Sequence, residues 1–150
     1  MNWHIKRFND LSNEELYRIL QLRNQVFIIE QNCPYLDCDE KDFNAHHLFL
    51  EDEGQIAAYA RILGKGVNYE EMCISRVVVN PIYRRQKLGV QLMTQAINFI
   101  ENHFKETSIR ISGQAYLLDF YQDLGFKRVS DEYLEDNIPH FEFLYKKRGC

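Results

Sequence analysis

Three basic side chains, Arg84, Arg85 and Lys87, lie within four positions of one another, directly before a stretch with helical periodicity. The first backbone N–H groups of a helix have no partner inside the helix, and the helix dipole adds partial positive charge at the same end. A basic turn at a helix N-terminus is therefore suited to binding phosphate groups. The ligand that this turn predicts is a polyphosphate, or a cofactor that carries one. The competing interpretation is a basic turn that is only solvated.

A strand and a helix must hold this turn in place. Residues 74–79 are rich in β-branched side chains and are followed by Asn80 and Pro81, which cannot continue a strand ladder, so the sequence predicts a strand that stops near Asn80. The helix after the turn is indicated by apolar residues three and four positions apart, which form one broad face suited to packing on a sheet. These residues are Leu88, Leu92, Met93, Ala96, Phe99, Ile100 and Phe104.

The remaining elements are predicted from periodicity and from turn residues. Ser12 and Glu15 have the spacing of a capping box and begin a helix that carries apolar residues as far as Phe27. Further strands are predicted at residues 3–8, 47–51, 56–63, 108–112, 126–130 and 141–145, and a short helix at residues 115–124.

The basic turn resembles the pyrophosphate loop of the GNAT N-acyltransferase superfamily, which binds acetyl-CoA. The pattern of that loop is Gln or Arg, two residues, Gly, one residue, and then Gly or Ala. Arg84 and Gly89 match it, whereas Lys87 replaces the first glycine. Lysine tolerates helical φ and ψ, so this replacement is a modest departure from the pattern if the loop is helical at Lys87.

A second segment, from Gln114 to Phe126, resembles the later helix of the same superfamily, which ends in a signature of Phe-Tyr, three residues, and Gly-Phe. Tyr121 matches the tyrosine of this signature, while Gln114 stands where the family usually has Asn. More narrowly, the runs 20–35, 58–63 and 138–140 resemble the ElaA-like branch of the superfamily. The whole resemblance extends from about residue 15 to about residue 145.

This resemblance implies an α/β (α+β) GNAT acyl-CoA N-acyltransferase fold in a single domain, residues 1–150, with a mixed central sheet of about seven strands flanked by helices. In that fold the fourth and fifth strands splay apart and the gap admits acetyl-CoA, whose pantetheine arm pairs with the backbone of the fourth strand. A backbone N–H near Val78 is then expected to face the thioester oxygen. The predicted cofactor-binding residues are Val77, Val78, Val79, Arg84, Arg85, Gln86, Lys87, Leu88, Gly89, Val90 and Gln114.

The resemblance also implies direct transfer of an acetyl group to a primary amine, with no covalent enzyme intermediate. Tyr121 is the expected general acid for the departing thiolate, and the alternative for Tyr121 is a place in the core. For the general base the sequence offers His140, in a predicted loop before the last strand, and Glu30, at the end of the first helix. Histidine titrates near neutral pH, and partial burial tunes a carboxylate. A water chain, or an amine that arrives neutral, would make both unnecessary.

Acidic residues suggest the chemistry of the acyl acceptor. Residues 30–53 hold eight acidic side chains and one lysine. Four more acidic residues precede His140, namely Asp131, Glu132, Glu135 and Asp136. In GNAT folds both regions border the mouth for the acceptor, so we expect a cationic small molecule or a peptide amine. Ordinary solvated loops are the alternative, and Arg23 and Arg61 are expected either to pair with these carboxylates or to contact substrate.

Length and composition argue against several other classes of protein. A chain of 150 residues fits one domain, and a net charge of −4 argues against a general nucleic-acid binder. No apolar run reaches the roughly 18 residues of a membrane span, and the N-terminus lacks a signal-peptide core, so we expect a cytoplasmic protein. The cysteines are scattered, which favours free thiols, and no metal site is predicted because Cys33, Cys38, His46 and His47 fit no zinc-ligand spacing.

Two other functions stay open at this point. A non-catalytic acyl-CoA-binding sensor or interaction protein would keep the cofactor site and close the acceptor pocket. An α/β nucleotide-binding module would bind ATP or GTP in place of CoA. The oligomeric state is also open, with a homodimer among the alternatives.

Overall fold

The computed structural model describes residues 1–147, which form a mixed sheet with helices on both faces. The helices are α1 (Asn13–Arg23), α2 (Leu88–Phe99) and α3 (Leu118–Asp123), and α1 and α2 continue into π-helical segments, Asn24–Glu30 and Ile100–Phe104. The strands are β1 (Asn2–Arg7), β2 (His46–Asp52), β3 (Gln55–Leu63), β4 (Met72–Val79), β5 (Ser108–Gln114), β6 (Phe126–Arg128), β7 (Tyr133–Glu135) and β8 (Ile138–Lys146).

The strand order in the sheet is β1-β2-β3-β4-β5-β8-β6, and β7 pairs with β8 outside this path. The β4–β5 pair is parallel, and the other neighbouring pairs are antiparallel. The predicted α/β class with a mixed sheet is therefore confirmed, although the described residues form eight strands where the sequence predicts about seven.

Strands β4 and β5 pair over a short stretch only. Met72 lies opposite Ile109 and Cys73 opposite Arg110, and no further pairs follow. Ladder hydrogen bonds hold neighbouring strands about 4.8 Å apart only where pairing persists, so the two strands diverge beyond this point. The predicted splay between the fourth and fifth strands is thus present, and it leaves one edge of β4 unpaired from residue 74 onward.

Each face of the sheet buries its own core. On one face α2 and α3 cover a large apolar cluster that includes Leu92 and Phe143, as the apolar stripe of α2 predicts. On the other face α1 covers a smaller cluster that includes Ile19 and Val78. Because side chains alternate between the two faces along a strand, the position of a residue in its strand decides which face it joins.

Helix α1 begins at the predicted capping box. Ser12 Oγ accepts a hydrogen bond from the backbone N–H of Glu15 at 3.0 Å, and the Glu15 carboxylate accepts one from the backbone N–H of Ser12 at 2.8 Å. The α-helical part ends at Arg23, before the predicted end, and the π-helical segment carries the chain on to Glu30. Short π-helical segments are frequent at functional sites, and this one delivers a candidate base.

The β7–β8 hairpin is the element that the sequence analysis missed. Its two-residue loop consists of Asp136 and Asn137, whose φ values of 52° and 64° suit the type I′ turn of a hairpin. Pro139 disfavours a strand, but here it pairs with Leu134 on β7 and precedes His140, the first residue of β8 that pairs with β5. The prediction that His140 lies in a loop is therefore wrong, because His140 is part of strand β8.

Several other boundaries differ from the prediction by one or a few residues. Strand β5 extends to Gln114, β6 ends at Arg128, and the predicted helix 115–124 consists of a 3-10 turn, Ala115–Leu117, followed by α3. Element ends fray and depend on single hydrogen bonds, so sequence patterns define them poorly.

Candidate active site

A cleft of about 540 Å³ opens where β4 and β5 diverge. Both strands, the π-helical end of α1, α3 and the β7–β8 hairpin contribute to its walls, and its volume is typical of sites for small ligands. The predicted site residues that line it are Val77, Val78, Val79, Arg84, Gly89, Gln114, Tyr121, His140 and Glu30. The other predicted residues belong to the turn and the first turn of α2 beside the cleft, and they are Arg85, Gln86, Lys87, Leu88 and Val90.

Strand β4 carries a β-bulge at the edge of the cleft. Tyr59 and Arg61 on β3 are two positions apart, but their partners on β4, Val78 and Ser75, are three positions apart. Strand β4 therefore accommodates one extra residue. This residue bends the strand and changes the direction of its unpaired edge. Arg76 in the bulge has a φ of 54°, a left-handed conformation for which an arginine gives no sequence signal.

Ion pairs hold this strained residue in place. Arg76 Nε lies 2.8 Å from Asp37 Oδ1, and another nitrogen of its guanidinium lies 3.3 Å from Asp39 Oδ2. The guanidinium also donates a hydrogen bond to the Asp37 carbonyl oxygen at 3.1 Å and lies over the ring of Tyr35. A left-handed residue other than glycine costs on the order of 1–3 kcal/mol. These contacts therefore stabilise the bulge and, with it, the open edge at residues 77–79.

The basic turn before α2 contains two residues with a left-handed backbone. The φ angle is −66° at Arg84, 72° at Arg85 and 59° at Lys87. Positive φ within a turn points successive backbone N–H groups into a shared concavity, which suits a phosphate. The condition of a helical loop is not met, because Lys87 occupies a left-handed position, where glycine has the lowest cost, and α2 begins only at Leu88.

Tyr121 lies on α3 with its ring packed against β5. Its ring centre is 4.9 Å from that of Phe143, and a Cβ on Gly113 would lie only 2.5 Å from Tyr121 Cε2. The missing side chain of Gly113 therefore allows the tyrosine ring to reach the cleft. Burial raises the pKa of the Tyr121 hydroxyl, so the hydroxyl keeps its proton and can donate it.

His140 lies on β8 at the wall of the cleft and is 7% exposed. Its Nδ1 is 2.6 Å from the carbonyl oxygen of Ile138, and because a carbonyl oxygen only accepts, Nδ1 carries the proton of the neutral ring. The other ring nitrogen, Nε2, is then a hydrogen-bond acceptor. Nε2 is therefore the atom of His140 that can take a proton from a ligand.

Two hydroxyl groups orient a carboxylate beside His140. Ser112 Oγ donates to Glu135 Oε1 at 3.2 Å and lies 2.5 Å from the Tyr133 hydroxyl. Since the single proton of Ser112 goes to the carboxylate, Tyr133 is the donor to Ser112. Glu135 Oε2 lies 3.4 Å from His140 Nε2. In the sequence Glu135 is only one of four acidic residues before His140, and no local pattern points to Ser112 or Tyr133. Strand register alone brings the three side chains together.

Tyr121 and His140 lie on opposite faces of β5. Gly113 faces the ring of Tyr121 on the side of α3. Ser112 and Gln114 flank Gly113 in the strand and therefore face the side of α1, and Gln114 lies directly opposite His140 on β8. The gap between β4 and β5 connects the two faces, so a group held in the gap can be approached from both.

Glu30 and Arg84 form an ion pair at the cleft. The Arg84 guanidinium donates hydrogen bonds of 2.6 and 3.0 Å to the Glu30 carboxylate, and the side chains are 43% and 42% exposed. The predicted roles of both residues, phosphate contact for Arg84 and proton acceptance for Glu30, require this pair to separate. Exposed pairs of this kind contribute at most about 1 kcal/mol, so a bound phosphate can compete with Glu30.

Arg23 and Arg61 are buried and pair with aspartates, which decides between the two alternatives that the sequence left open. Arg23 donates to Asp37 at 2.8 Å and to Asp42 at 2.7 Å. Arg61 donates to Asp39 at 2.7 Å and to Asp42 at 3.1 Å. Burial alone would raise the pKa of Asp42, but the hydrogen bond and positive charge of Arg23 outweigh burial and lower it. Both arginines are therefore structural.

The acidic segment at residues 30–53 does not form the predicted acidic mouth. Only Glu30 of its eight acidic residues lines the cleft, and Glu30 is paired with arginine. The aspartates of this segment that pair with Arg23, Arg61 and Arg76 are likewise neutralised. The acidic side chains that do line the cleft without an arginine partner come from the hairpin and are Glu135 and Asp136.

Other chemistry weighed in the sequence has structural explanations. His47 hydrogen-bonds with the Tyr59 hydroxyl at 2.7 Å, and within residues 1–147 no group of three or more His, Cys, Asp or Glu could hold a metal ion. None of the helices in this part of the chain has the length and apolar character of a membrane span. Cys33, Cys38 and Cys73 are free thiols, and Cys150 lies outside the described residues.

The chain matches the acetyltransferase (GNAT) domain family over residues 8–147. It is 38% identical to the protein ElaA of Escherichia coli (strain K12) over 142 residues, which are 93% of each chain. The crystal structure of Escherichia coli ElaA superposes with a TM-score of 0.91 at 37% identity and covers 97% of this chain and 100% of that one. The crystal structure of an acyl-CoA N-acyltransferase from Pseudomonas aeruginosa gives a TM-score of 0.89 at 39% identity, with coverage of 97% and 99%.

Proposed function

The chain belongs to the GNAT acetyltransferase family, in its ElaA-like branch, and on this premise we propose that it transfers an acetyl group from acetyl-CoA to a primary amine. Its GNAT acyl-CoA N-acyltransferase fold confirms the fold predicted from the sequence. The observation that carries the proposal is the gap between β4 and β5, where an unpaired strand edge, a basic turn, a proton donor and a proton acceptor adjoin one cleft.

Three features of the cleft fit acyl-CoA. The unpaired edge at residues 77–79 offers backbone donors and acceptors to the amides of an extended pantetheine arm, as an added strand would require. The turn at Arg85 and Lys87 offers backbone N–H groups and positive charge to the diphosphate. Gln114, on β5, offers a side-chain amide from the opposite wall. When bound, acetyl-CoA supplies the acyl group as an activated thioester.

In this proposal His140 is the general base and Tyr121 the general acid. As the amine nitrogen bonds to the carbonyl carbon and the C–S bond breaks, His140 Nε2 takes a proton from the nitrogen and the Tyr121 hydroxyl gives one to the sulfur. His140 and Tyr121 then regain their starting states by passing one proton between them through water. Their placement on opposite faces of β5 supports this division of roles. A positioned acid or base typically contributes about 10²- to 10⁴-fold in rate.

Glu30 is the weaker candidate for the base. Its carboxylate already accepts two hydrogen bonds from Arg84 and must leave the guanidinium before it can take a proton. His140 Nε2, in contrast, accepts no hydrogen bond from residues 1–147. His140 is therefore the better candidate for the general base.

Calorimetry and an assay of thiol release test the proposal. The purified protein is titrated with acetyl-CoA, and release of the CoA thiol is then followed with pools of primary amines and peptides. Binding together with amine-dependent thiol release is expected, and no binding of acetyl-CoA would overturn the proposal. Binding without turnover would favour a non-catalytic sensor. Thermal stabilisation by ATP and not by CoA would favour a nucleotide-binding module.

Substitution of Tyr121 by phenylalanine tests the role of the acid. We expect Tyr121→Phe to lower kcat by about 10²- to 10⁴-fold and to leave the Kd for acetyl-CoA nearly unchanged, because the ring that packs on Gly113 remains. Tyr17→Phe is a matched control, since Tyr17 is 65% exposed and lies outside the cleft. Equal turnover by the two variants would exclude Tyr121 as the acid.

A further inference from the structure

When the ring of His140 is neutral, two hydrogen-bond acceptors face each other in the cleft. His140 Nε2 and Glu135 Oε2 are 3.4 Å apart. In the neutral ring the Ile138 carbonyl keeps the proton on Nδ1, so Nε2 has a lone pair, and an ionised carboxylate has no proton to share. No group of residues 1–147 donates a hydrogen bond to either atom, and the His140 side chain is only 9% exposed. A group that donates to both atoms would have to approach them from the cleft.

The carboxylate of Glu135 is held in position by its other oxygen. Tyr133 donates to Ser112 and Ser112 donates to Oε1, so the hydroxyl chain fixes Oε1 and leaves Oε2 next to His140. Burial raises the pKa of Tyr133, which keeps its hydroxyl protonated as the first donor of the chain. Strands β5, β7 and β8 each contribute to this arrangement, so it is built by the fold and does not depend on one loop.

No arginine or lysine of the described residues compensates the charge of Glu135. The arginines that line the cleft have partners already, since Arg76 pairs with Asp37 and Arg84 pairs with Glu30. Within the described residues, Glu135 lies within ion-pair distance of His140 only. A ligand that brings both hydrogen-bond donors and positive charge would satisfy the carboxylate and Nε2 together.

We infer that Glu135 binds the acyl acceptor as an ammonium ion, with His140 Nε2 as the second hydrogen-bond partner. The inference rests on the proposed acyl transfer and names its substrate class, which is primary alkylamines that enter as cations. The bound ammonium gives one proton to His140 Nε2, which passes it to water, and the neutral amine that remains has the lone pair needed for attack. Glu135 is a binding and positioning residue that selects ammonium over neutral groups of the same shape.

Steady-state kinetics with n-butylamine and benzylamine as probes test this subsite. Glu135→Gln keeps the shape of the side chain and removes its charge, so we expect KM for these amines to rise about 10- to 100-fold, with kcat within about threefold. The affinity for acetyl-CoA, measured by calorimetry, should not change. Glu132→Gln is the matched control, because it removes the same charge from an exposed position nearby that does not line the cleft.

A second variant acts on the orientation of the carboxylate. Tyr133→Phe keeps Glu135 and removes the hydroxyl that donates to Ser112. We expect a smaller rise in KM for the same amines, about 3- to 10-fold, in line with the loss of one neutral hydrogen bond. This variant also keeps the test informative if Glu135→Gln folds poorly.

Nuclear magnetic resonance gives a readout that does not depend on turnover. In protein with labelled histidine, benzylamine should shift the ring signal of His140 in the presence of CoA, whereas benzyl alcohol, its neutral analogue, should not. Glu135→Gln should lose this response. Equal shifts with the two probes, no shift with benzylamine, or an unchanged KM in Glu135→Gln would overturn the subsite. Failure of the wild-type protein to bind acetyl-CoA or to release thiol would instead overturn the proposed function.

Discussion

Two charged regions lie beside the cleft, and they use their carboxylates in opposite ways. In the arginine network every carboxylate has a guanidinium partner; its members are Arg23, Arg61, Arg76, Asp37, Asp39 and Asp42. In the hairpin pair, formed by Glu135 and His140, the carboxylate has no arginine or lysine partner among the described residues and faces the cleft. The first region is largely buried, whereas the Glu135 side chain is 49% exposed.

The number of acidic residues in a segment therefore does not predict how much uncompensated negative charge that segment contributes to the cleft. In the sequence both regions are acidic stretches, and the family resemblance implies that both border the acceptor mouth. The aspartates of the network are neutralised by arginines from α1, β3 and β4, and they stabilise the bulge at Arg76. Long-range pairing therefore separates a structural set of charges from a set that can act on a ligand.

The largest expected effect is on activity and comes from the hairpin pair. His140→Gln removes the basic lone pair of Nε2, so kcat should fall by about 10²- to 10⁴-fold, while the free energy of unfolding in urea should change by no more than about 1 kcal/mol. His103→Gln is the control, because His103 is exposed and does not line this cleft. If His140→Gln unfolds easily and yet keeps its kcat, His140 is a structural residue, and the contrast between the two regions does not hold.

The next effect is on stability and comes from the arginine network. Asp42→Asn leaves two buried guanidinium groups, those of Arg23 and Arg61, without the carboxylate they share. We expect the free energy of unfolding in urea to fall by about 3 kcal/mol. Glu40→Gln, a neighbouring exposed acid, should change it by less than about 0.5 kcal/mol. Similar losses in the two variants would show that the network does not stabilise the fold.

Acid titration sharpens the same contrast. Burial alone would raise the pKa of Asp39, but the hydrogen bonds and charge of Arg61 outweigh it and lower the pKa from its ordinary value of 3.8 to about 2. Because the pKa is lower in the folded state, the stability from this pair is present above pH 3.8 and is lost as the pH falls toward 2. Its size is on the order of 1–2 kcal/mol, since Asp39 is partly exposed.

The measurement for this prediction is urea unfolding of wild type and Asp39→Asn across that pH range. The difference in free energy of unfolding between the two proteins should shrink as the pH approaches 2, because Asp39 then becomes neutral in the wild type as well. A difference that does not depend on pH would contradict the assigned pairing.

The smallest expected effect concerns the basic turn beside the cleft. Lys87 has a left-handed backbone, so Lys87→Gly relieves strain and should raise the free energy of unfolding by up to about 1 kcal/mol. Gln86→Gly is the control, because Gln86 has no positive φ and glycine there should only destabilise. Thermal or urea unfolding distinguishes the two, and equal destabilisation would exclude strain at Lys87.

Local sequence patterns were sufficient to predict the strand, the turn and the helix on the β4 side of the cleft. The strand that ends at Val79, the turn and α2 are found where apolar periodicity and helix-start signals predict them. Gln114 and Tyr121, identified through a resemblance in one short segment, both line the cleft. Each of these depends on contacts within a few positions of the chain, and such contacts are visible in a sequence.

The side of the cleft formed by the bulge and the β7–β8 hairpin could not be predicted from local sequence patterns. The bulge at Arg76 requires ion pairs with Asp37 and Asp39, which are 39 and 37 residues away. The β7–β8 hairpin could not be predicted, because proline disfavours a strand and the pairing of Pro139 with Leu134 is not visible in the sequence. The position of Glu135 beside His140 follows from that hairpin.

The family, the mixed α/β class and the position of the basic turn could all be inferred from the sequence, because local periodicity and short motifs encode them. Only the tertiary structure decided which charges are neutralised, where the backbone takes left-handed conformations, and which side chains meet on either side of the β4–β5 gap. The physical reason is that charge pairing and strand register join residues distant in the chain, and the free energy of each contact exists only once the sheet has formed.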